Sequence, residues 1–496
     1  MPRYRTIPQT LAALVLLALT ACARLPADRG IPDVHQLVAE RSGQQLATAD
    51  VDRKTWINER LNTVLTVDRA VQVALVNNPQ VRGEYARLGI ASAEVYDAGR
   101  LSNPRLSVAS LASNVSGQTD QLGFGLVQSF TELLLLPARS RLAAGEFERA
   151  KEQAGQALLS LAAEVELAYC NLVGLQQVAS MRLAVASAAQ TSAALAQRFV
   201  DAGNLTAQAL AQQTAAAATA HASALQAASE VLVARSVLNA LLGLAPDTRD
   251  WQTVAELPAP LDHDEEPASL LSLALKSRLD LAAQRREVAL LTDALRTARQ
   301  FRYLGAVEVG VETERETDRS RITGPRLSLE LPIFNQGKGK TARALATLEA
   351  AQSALAGLEL AIANQVHRHA QQAAAARMRA EHLRTQLIPA REAVVKRTQQ
   401  EVNYMLEGPF QLLAVKQQAF DAYQAYIEAV RDYWLARAAL SRAVGARLPT
   451  MAASTHSTTA PMAMPDVPKT PAGHGTATPT PDPLPLDHAQ HPGGAQ

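Results

Sequence analysis

The chain has 496 residues, of which 48% are hydrophobic, 4% aromatic and 19% charged, a balance that excludes wholesale disorder. Abundant alanine and leucine favour helices with narrow apolar stripes over a many-helix membrane protein, and 48 basic against 47 acidic residues leave a net charge of +1. No basic excess points to nucleic acid, no acidic excess points to cation storage, and Cys22 and Cys170 alone rule out a disulfide framework or a cysteine-based zinc site.

Arg3 and Arg5 precede an apolar run from Leu11 to Leu19. The run falls short of the roughly 20 residues that span a bilayer, so residues 1–21 read as a signal peptide. It ends in Leu19-Thr20-Ala21-Cys22, which resembles the bacterial lipobox and implies that Cys22 carries lipid. Ala23 follows where an aspartate would resemble an inner-membrane retention signal, so the outer membrane is the expected destination, and residues 22–67 are expected to form a lipid-anchored periplasmic segment.

The rest of the chain repeats itself. Ala74-Leu75-Val76-Asn77-Asn78-Pro79 aligns with Ala274-Leu275-Lys276-Ser277-Arg278-Leu279, Phe199-x-x-x-Gly203 with Tyr404-x-x-x-Gly408, and the stretch ending in Gly243 with that ending in Gly445. Two repeats are predicted, 68–243 and 268–445, joined by a linker at 244–267. Each reads as a helix, two strands and two long helices.

Residues 68–100 read as one helix ending before Asn103-Pro104. The hairpin of the first repeat is placed at about 104–130, where Leu122, Phe124 and Leu126 alternate with Gly123, Gly125 and Val127. The second hairpin, about 306–333, alternates more cleanly: Val307, Val309 and Val311 against Glu308, Gly310 and Glu312, then Leu327, Leu329 and Leu331 against Ser328 and Glu330. One face is apolar and the other polar, with Glu316–Ser320 as the turn; the apolar solvent could be a core or lipid. Residues 138–202 and 338–404 predict two long unbroken helices, with coiled-coil seams at Leu158, Leu161, Val165, Ala168, Leu172 and Leu175 and at Leu345, Leu348, Gln352 and Leu355. Such helices reach about 100 Å and must lie along partners.

Four strands are too few to close a barrel, so closure between subunits is expected. The lipobox, the duplicated helix–hairpin–helix–helix units, Leu331-Pro332-Ile333-Phe334-Asn335-Gln336-Gly337 and Asn77-Asn78-Pro79 together resemble the TolC-type outer-membrane efflux family, in its lipoprotein branch. The resemblance runs from Cys22 to about Gly445, and departs at Phe130–Leu136, where the Leu-Pro-apolar-Phe pattern is missing. It implies a mainly α chain with a small β part, trimerising into a 12-stranded outer-membrane β-barrel on a long periplasmic α-helical barrel. It further implies a passive exit duct, fed by an inner-membrane pump of the RND type through a periplasmic adaptor, without enzymatic activity. The adaptor contacts would be the helix tips at Gly203, Asn204, Leu205 and Thr206 and at Gly408, Pro409, Phe410 and Gln411, with glycine supplying positive φ. Arg198, Asp201, Glu401 and Glu407 are candidate gate charges, and Glu308, Glu312 and Glu330 would face the lumen. The alternatives are the same duct serving drug efflux or protein or peptide secretion, and a periplasmic coiled-coil structural protein.

Other motifs carry less. Gln336-Gly337-Lys338-Gly339-Lys340-Thr341 sits where a phosphate-binding loop would, but Phe334 stands where that pattern requires glycine. His367 and His369 point about 200° apart on a helix and cannot chelate one ion; His221 and His382 read as surface or seam residues. Asp262-His263-Asp264-Glu265-Glu266 precedes Pro267 and reads as a capping cluster at a helix start. Residues 446–496 are rich in Pro, Thr, Ala and Gly, and are expected to be disordered. This tail carries Met451, Met462, Met464, His456, His474, His488 and His491, donor types suited to Cu(I), and to Cu(II) or Zn for the imidazoles. It predicts transient metal binding and a heavy-metal cargo, copper or silver first, with an inert low-complexity extension as the alternative. No resident cofactor and no nucleic-acid partner are expected.

Overall fold

The computed structural model describes residues 28–44, 53–112, 114, 118–246 and 251–448. Cys22 and the tail residues Met451, His456, Met462, Met464, His474, His488 and His491 lie outside the described residues.

The described chain opens with α1 (Ile31–Ser42) and α2 (Arg53–Leu61). Then come α3 (Val67–Asn77), α4 (Pro79–Ala98), the strands β1 (Arg105–Leu111) and β2 (Gln121–Ser129), α5 (Phe130–Asp201) and α6 (Ala207–Leu242). The same order recurs in α7 (Pro267–Ser277), α8 (Leu279–Gln300), β3 (Val307–Arg315), β4 (Arg321–Leu329), α9 (Lys338–His382), α10 (Ile388–Asn403) and α11 (Pro409–Val444). The single helix expected over 68–100 is therefore two. Pro79 disfavours helical geometry at the residue before it, and Asn78 is extended, with φ −62° and ψ 129°. Its side chain then caps α4 by accepting from the Gln80 N–H at 2.7 Å.

Asn77 and Asn78 also close the far end of α6. Asn77 Nδ2 donates to the carbonyls of Leu242 and Gly243 at 2.9 and 2.8 Å, and Asn78 Nδ2 donates to that of Leu241 at 2.9 Å. Carbonyls at a helix end have no acceptor role left inside the helix, so these side chains satisfy them. Arg278 does the same work in the second half, donating from Nη1 to the Ala443 carbonyl at 3.0 Å and to Gln365 at 3.1 Å. Gly243 and Gly445 terminate α6 and α11 in left-handed geometry, φ 69° and 70°. A Cβ at Gly243 would meet the Asn77 carbonyl oxygen at 2.9 Å, so both backbone strain and lack of space oppose another residue there.

The two long runs behave differently. α5 is continuous for 72 residues, about 108 Å at helical rise. It starts at Phe130, ahead of the expected boundary at 138, and carries Pro137 inside it. The early start has a local cause: Ser129-Phe130-Thr131-Glu132 is a capping-box sequence, and the Ser129 hydroxyl accepts from the Glu132 N–H at 3.4 Å. Phe130–Leu136 is thus helix from its first residue. The second run contains Pro389 and is not unbroken: between α9 and α10 the chain makes a π-turn at Leu383–Leu387, with the Ile388 N–H bonding the Leu383 carbonyl. Pro389 lacks an N–H and its ring crowds the carbonyl one turn back, and the wider turn accommodates both effects.

Leu158, Leu161, Val165 and Leu172 are buried as the seam predicts, while Ala168 and Leu175 are half-buried against them. The second seam is looser: Leu348 is buried, Leu355 half-buried, and Leu345 and Gln352 exposed. α5 packs on α6 and α11, and α9 on α11 and α8. Part of the expected linker is core. Trp251 and Leu257 are buried, Leu65 and Thr253 form a parallel bridge, and Tyr169 donates to the Leu65 carbonyl at 2.7 Å. The Trp251 ring N–H donates to Asn239 at 3.0 Å and that of Trp434 to the Pro258 carbonyl at 2.8 Å.

Candidate functional site

The four strands form one antiparallel sheet in the order β1-β2-β3-β4, so β1 and β4 are both unpaired edges. Register sorts its residues onto two faces. Leu106 pairs with Leu126, Leu126 with Val311, Val309 with Leu327 and Val307 with Leu329, so these side chains share one face with Val108, Leu122 and Phe124. This face is bare: Leu106 is 71% and Leu327 63% exposed. An edge strand also tolerates Pro325, which has no N–H to give.

The opposite face carries Arg105, Ser107, Glu308, Glu312, Glu314 and Arg326 with Gly123, Gly125, Gly310 and Gly324. Glu308 and Glu312 lie on it as the alternation predicts, but as ion-pair members: Arg105 reaches Glu308 across β2, and Arg326 reaches Glu312 at 3.3 Å. Arg105 is opposite Val127 and Glu308 opposite Ser129, so the arginine side chain crosses β2 at its end next to α5. Glu330 lies beyond β4, where its carboxylate accepts from the Ala306 N–H at 3.1 Å and helps close the base of the hairpin.

The two helix tips share one geometry. After α5, the Gly203 N–H bonds the Val200 carbonyl at 2.9 Å and the Asn204 N–H that of Phe199 at 2.8 Å. After α10, the Met405 N–H bonds the Val402 carbonyl at 3.0 Å and the Leu406 N–H that of Glu401 at 2.9 Å. Both are Schellman endings, so Gly203 corresponds to Met405 rather than to Gly408. Gly203 has φ 77° and Met405 φ 60°, whereas Gly408 is extended and serves as the residue preceding α11. The expectation of positive φ at both glycines holds at Gly203 alone. Matching glycine to glycine puts the tips 205 residues apart; hydrogen bonding sets the spacing at 202.

Thr206 caps α6 by accepting from the Ala209 N–H at 3.2 Å, and Pro409 opens α11. Asn204, Thr206, Glu407, Gly408 and Gln411 are exposed, Leu205, Pro409 and Phe410 half-buried, and Met405 is 93% exposed beside exposed Tyr404 and Leu406. Sequence matching does not single out this Tyr-Met-Leu cluster, although three apolar residues in a helix turn are a readable signal. Among the candidate gate charges, Asp201 accepts from Gln197 Nε2 at 2.8 Å. Among the described residues, no ion pair joins Arg198, Asp201, Glu401 and Glu407 to one another within the chain.

The remaining motifs have structural roles. His367 bonds Gln371 and His369 bonds Gln372, each about one turn along α9. Gly337 precedes α9 with φ 71°, where a Cβ would meet the Arg302 carbonyl oxygen at 2.9 Å. The acidic cluster before α7 is not a cap set: Asp264 accepts from Arg377 at 2.7 Å, and Glu265 takes both Arg437 terminal nitrogens at 2.9 and 2.6 Å. Burial opposes ionisation of Glu265, but the Arg437 guanidinium outweighs it and holds the carboxyl below its ordinary value. Among the described residues, no group of three or more His, Cys, Asp or Glu is arranged to hold a metal.

Neither family models nor curated proteins give a match to the chain. Solved structures do. The outer-membrane channel OprN superposes with TM-score 0.66 at 19% identity, covering 90% of this chain and 98% of its own. CmeC, an outer-membrane channel of Campylobacter jejuni, gives 0.64 at 13% identity, covering 83% and 91%. VceC, an outer membrane protein of Vibrio cholerae, gives 0.63 at 18% identity, covering 77% and 96%. The fold is that of the TolC-type outer-membrane channels.

Proposed function

We propose that three copies of the chain join edge to edge into a 12-stranded barrel in the outer membrane, continued by a helical tunnel, as the passive exit duct of a tripartite efflux system. The observation that carries this reading is the four-stranded sheet with two open edges and one continuous bare apolar face. An isolated sheet of this kind is unstable in water, and lipid plus edge closure satisfies both defects at once. The polar face then lines the lumen.

Among the described residues, three helical stretches, Phe130–Asp201, Ala207–Leu242 and Lys338–Asn403 with its π-turn, are long and apolar enough to cross a membrane by length and composition. At 72, 36 and 66 residues they far exceed the roughly 20 that a bilayer needs, and α5 buries its apolar stripe in the seam with α6 and α11. They are read as the periplasmic tunnel wall. The turns at Gly203–Thr206 and Tyr404–Gln411 would meet a periplasmic adaptor delivering cargo from an inner-membrane pump, and lipid on Cys22 would tether the assembly. Copper or silver is the proposed cargo, on the donor types of the tail.

Native mass spectrometry of detergent-extracted full-length protein, with planar-bilayer recording, tests the duct. Trimers with ion conductance are expected; a detergent-independent monomer without conductance would refute it. Metal sensitivity on deletion separates metal efflux from secretion.

A further inference from the structure

The apolar face of the sheet ends in two arginines. Arg315, the last residue of β3, lies directly opposite Arg321, the first of β4. Register puts both on the face of Val309, Val311 and Leu327, not on the polar face. The next rung on that face, toward the helices, pairs Thr313 with Thr323, their hydroxyls 3.2 Å apart. The rung after it, Val311 and Pro325, is apolar again.

Like charges directly opposite on a sheet repel. Among the described residues, neither guanidinium has a carboxylate within ion-pair distance. Of the acids in and beside this turn, Asp318 accepts from the Ser320 N–H at 2.8 Å, Glu314 is on the polar face beside Gln121, and Glu316 closes the turn through its backbone, bonding Ser320 at 2.9 Å. The position also has a depth. From Val307 to Arg315 the strand runs about 27 Å, which at barrel tilt is about 20 Å of height, close to the full apolar band. β2 runs straight into α5 at the other end, so the arginines mark the rim away from the helices.

We propose that the Arg315–Arg321 rung, backed by the Thr313–Thr323 hydroxyls, binds the phosphate monoester of an outer-leaflet lipid, whose acyl chains lie along Val309, Val311 and Leu327. The inference rests on the outer-membrane duct reading. Two guanidiniums match the charge of a monoester, about −1.5 to −2, better than the single charge of a diester. Hydroxyls complete the coordination of the remaining oxygens, and the adjoining apolar rungs select an amphiphile over a free ion.

The test is lipid retention on the full-length trimer, measured by native mass spectrometry after exposure to phosphatidic acid, phosphatidylglycerol or phosphatidylcholine. Retention of phosphatidic acid over phosphatidylcholine is expected at about tenfold or more, from two surface arginines, with phosphatidylglycerol between them. Arg315→Gln with Arg321→Gln removes the preference, and Arg105→Gln on the polar face leaves it intact. Arg315→Lys with Arg321→Lys retains part of it, which separates charge from any disturbance of the hairpin. Equal retention of the three lipids, an unchanged preference in the glutamine pair, or full displacement by inorganic phosphate would overturn the proposal. A wild-type trimer that conducts yet shows no preference sinks this inference alone; a chain that never forms a conducting trimer sinks the duct reading as well.

Discussion

The rings of Phe199 and Phe410 meet nearly edge to face, centroids 6.1 Å apart and planes at 70°. One belongs to the last turn of α5 and the other to the first turn of α11, so the contact joins the two helix tips within one chain. Such a pair contributes about 0.5–1.5 kcal/mol beyond its buried area. Either Phe199→Ala or Phe410→Ala should loosen both tips together, and the double variant should cost less than the sum. Hydrogen exchange at 198–206 and 401–411 measures this; independent, additive loosening would show that the tips are not coupled.

Gly203 and Met405 occupy equivalent left-handed positions, and the penalty falls on Met405. Left-handed geometry costs a residue with a Cβ about 1–2 kcal/mol. Gly203→Ala should therefore destabilise its tip by about 1 kcal/mol, whereas Met405→Gly should leave the second tip as stable or more so. Met405→Gly also removes part of the exposed Tyr404-Met405-Leu406 surface, so the same variant should weaken adaptor pull-down if that surface is a contact. Reversed signs in the exchange data would refute the assignment of the two turns.

The sequence is most readable where one period or one residue type controls the outcome. Alternation at 307–311 and 327–329 assigns the faces of the second hairpin, and the apolar stripe from Leu158 to Leu172 locates the seam of α5. What escapes depends on partners distant in the chain. Arg437, 172 residues beyond Glu265, turns an expected capping cluster into a buried ion pair. Arg105 and Arg326 pair with Glu308 and Glu312 on the polar face, where alternation alone shows only the carboxylates. Pro389 is locally visible, but a long helical period masks a single proline, and a π-turn absorbs it.

Those polar-face pairs set a selectivity prediction. Arg105→Gln with Arg326→Gln leaves Glu308 and Glu312 unneutralised on the polar face. In a duct, reversal potentials under a salt gradient should move toward cation preference, most at low ionic strength, where screening is weak. An unchanged reversal potential would mean that this face does not line the conducting path.

Arg437 is 3% exposed, and its charge is met by Glu265. Glu265→Ala would take the two-point carboxylate partner from a buried guanidinium, leaving Asp264 still acting on it, and should cost about 1.5–3 kcal/mol. Replacing both, Glu265→Leu with Arg437→Met, should recover most of the loss. Thermal unfolding of the three proteins distinguishes a lost charge partner from a lost packing contact, because only the former is rescued by the second change.

Glu166 has a different fate. It lines a cavity of about 70 Å³ with Arg41 from α1, Asp68 from α3, Gln156 from α5 and Arg442 and Arg447 from the end of the described chain. The arginines there have other carboxylates: Arg447 bonds Asp68 at 3.0 Å, and Arg442 pairs with Glu164 at 3.2 Å. Burial therefore raises the Glu166 carboxyl from 4.5 to about 7, with Arg447 and Arg437 lowering it in part and Asp68 adding to the rise. Between those two values the folded chain keeps a proton that the unfolded chain has released. Stability is accordingly full below about pH 4.5 and falls as pH rises to about 7, by on the order of 3 kcal/mol. Glu166→Gln keeps the shape and removes the titration. Its melting temperature should match wild type near about pH 5 and exceed it near about pH 8. The cavity lies where the Arg447 N–H bonds the Arg41 carbonyl at 2.7 Å, so exchange protection at 31–44 and 441–448 should follow the same pH course. A wild-type protein whose stability is flat across this window would place the Glu166 carboxylate in water rather than in the cavity.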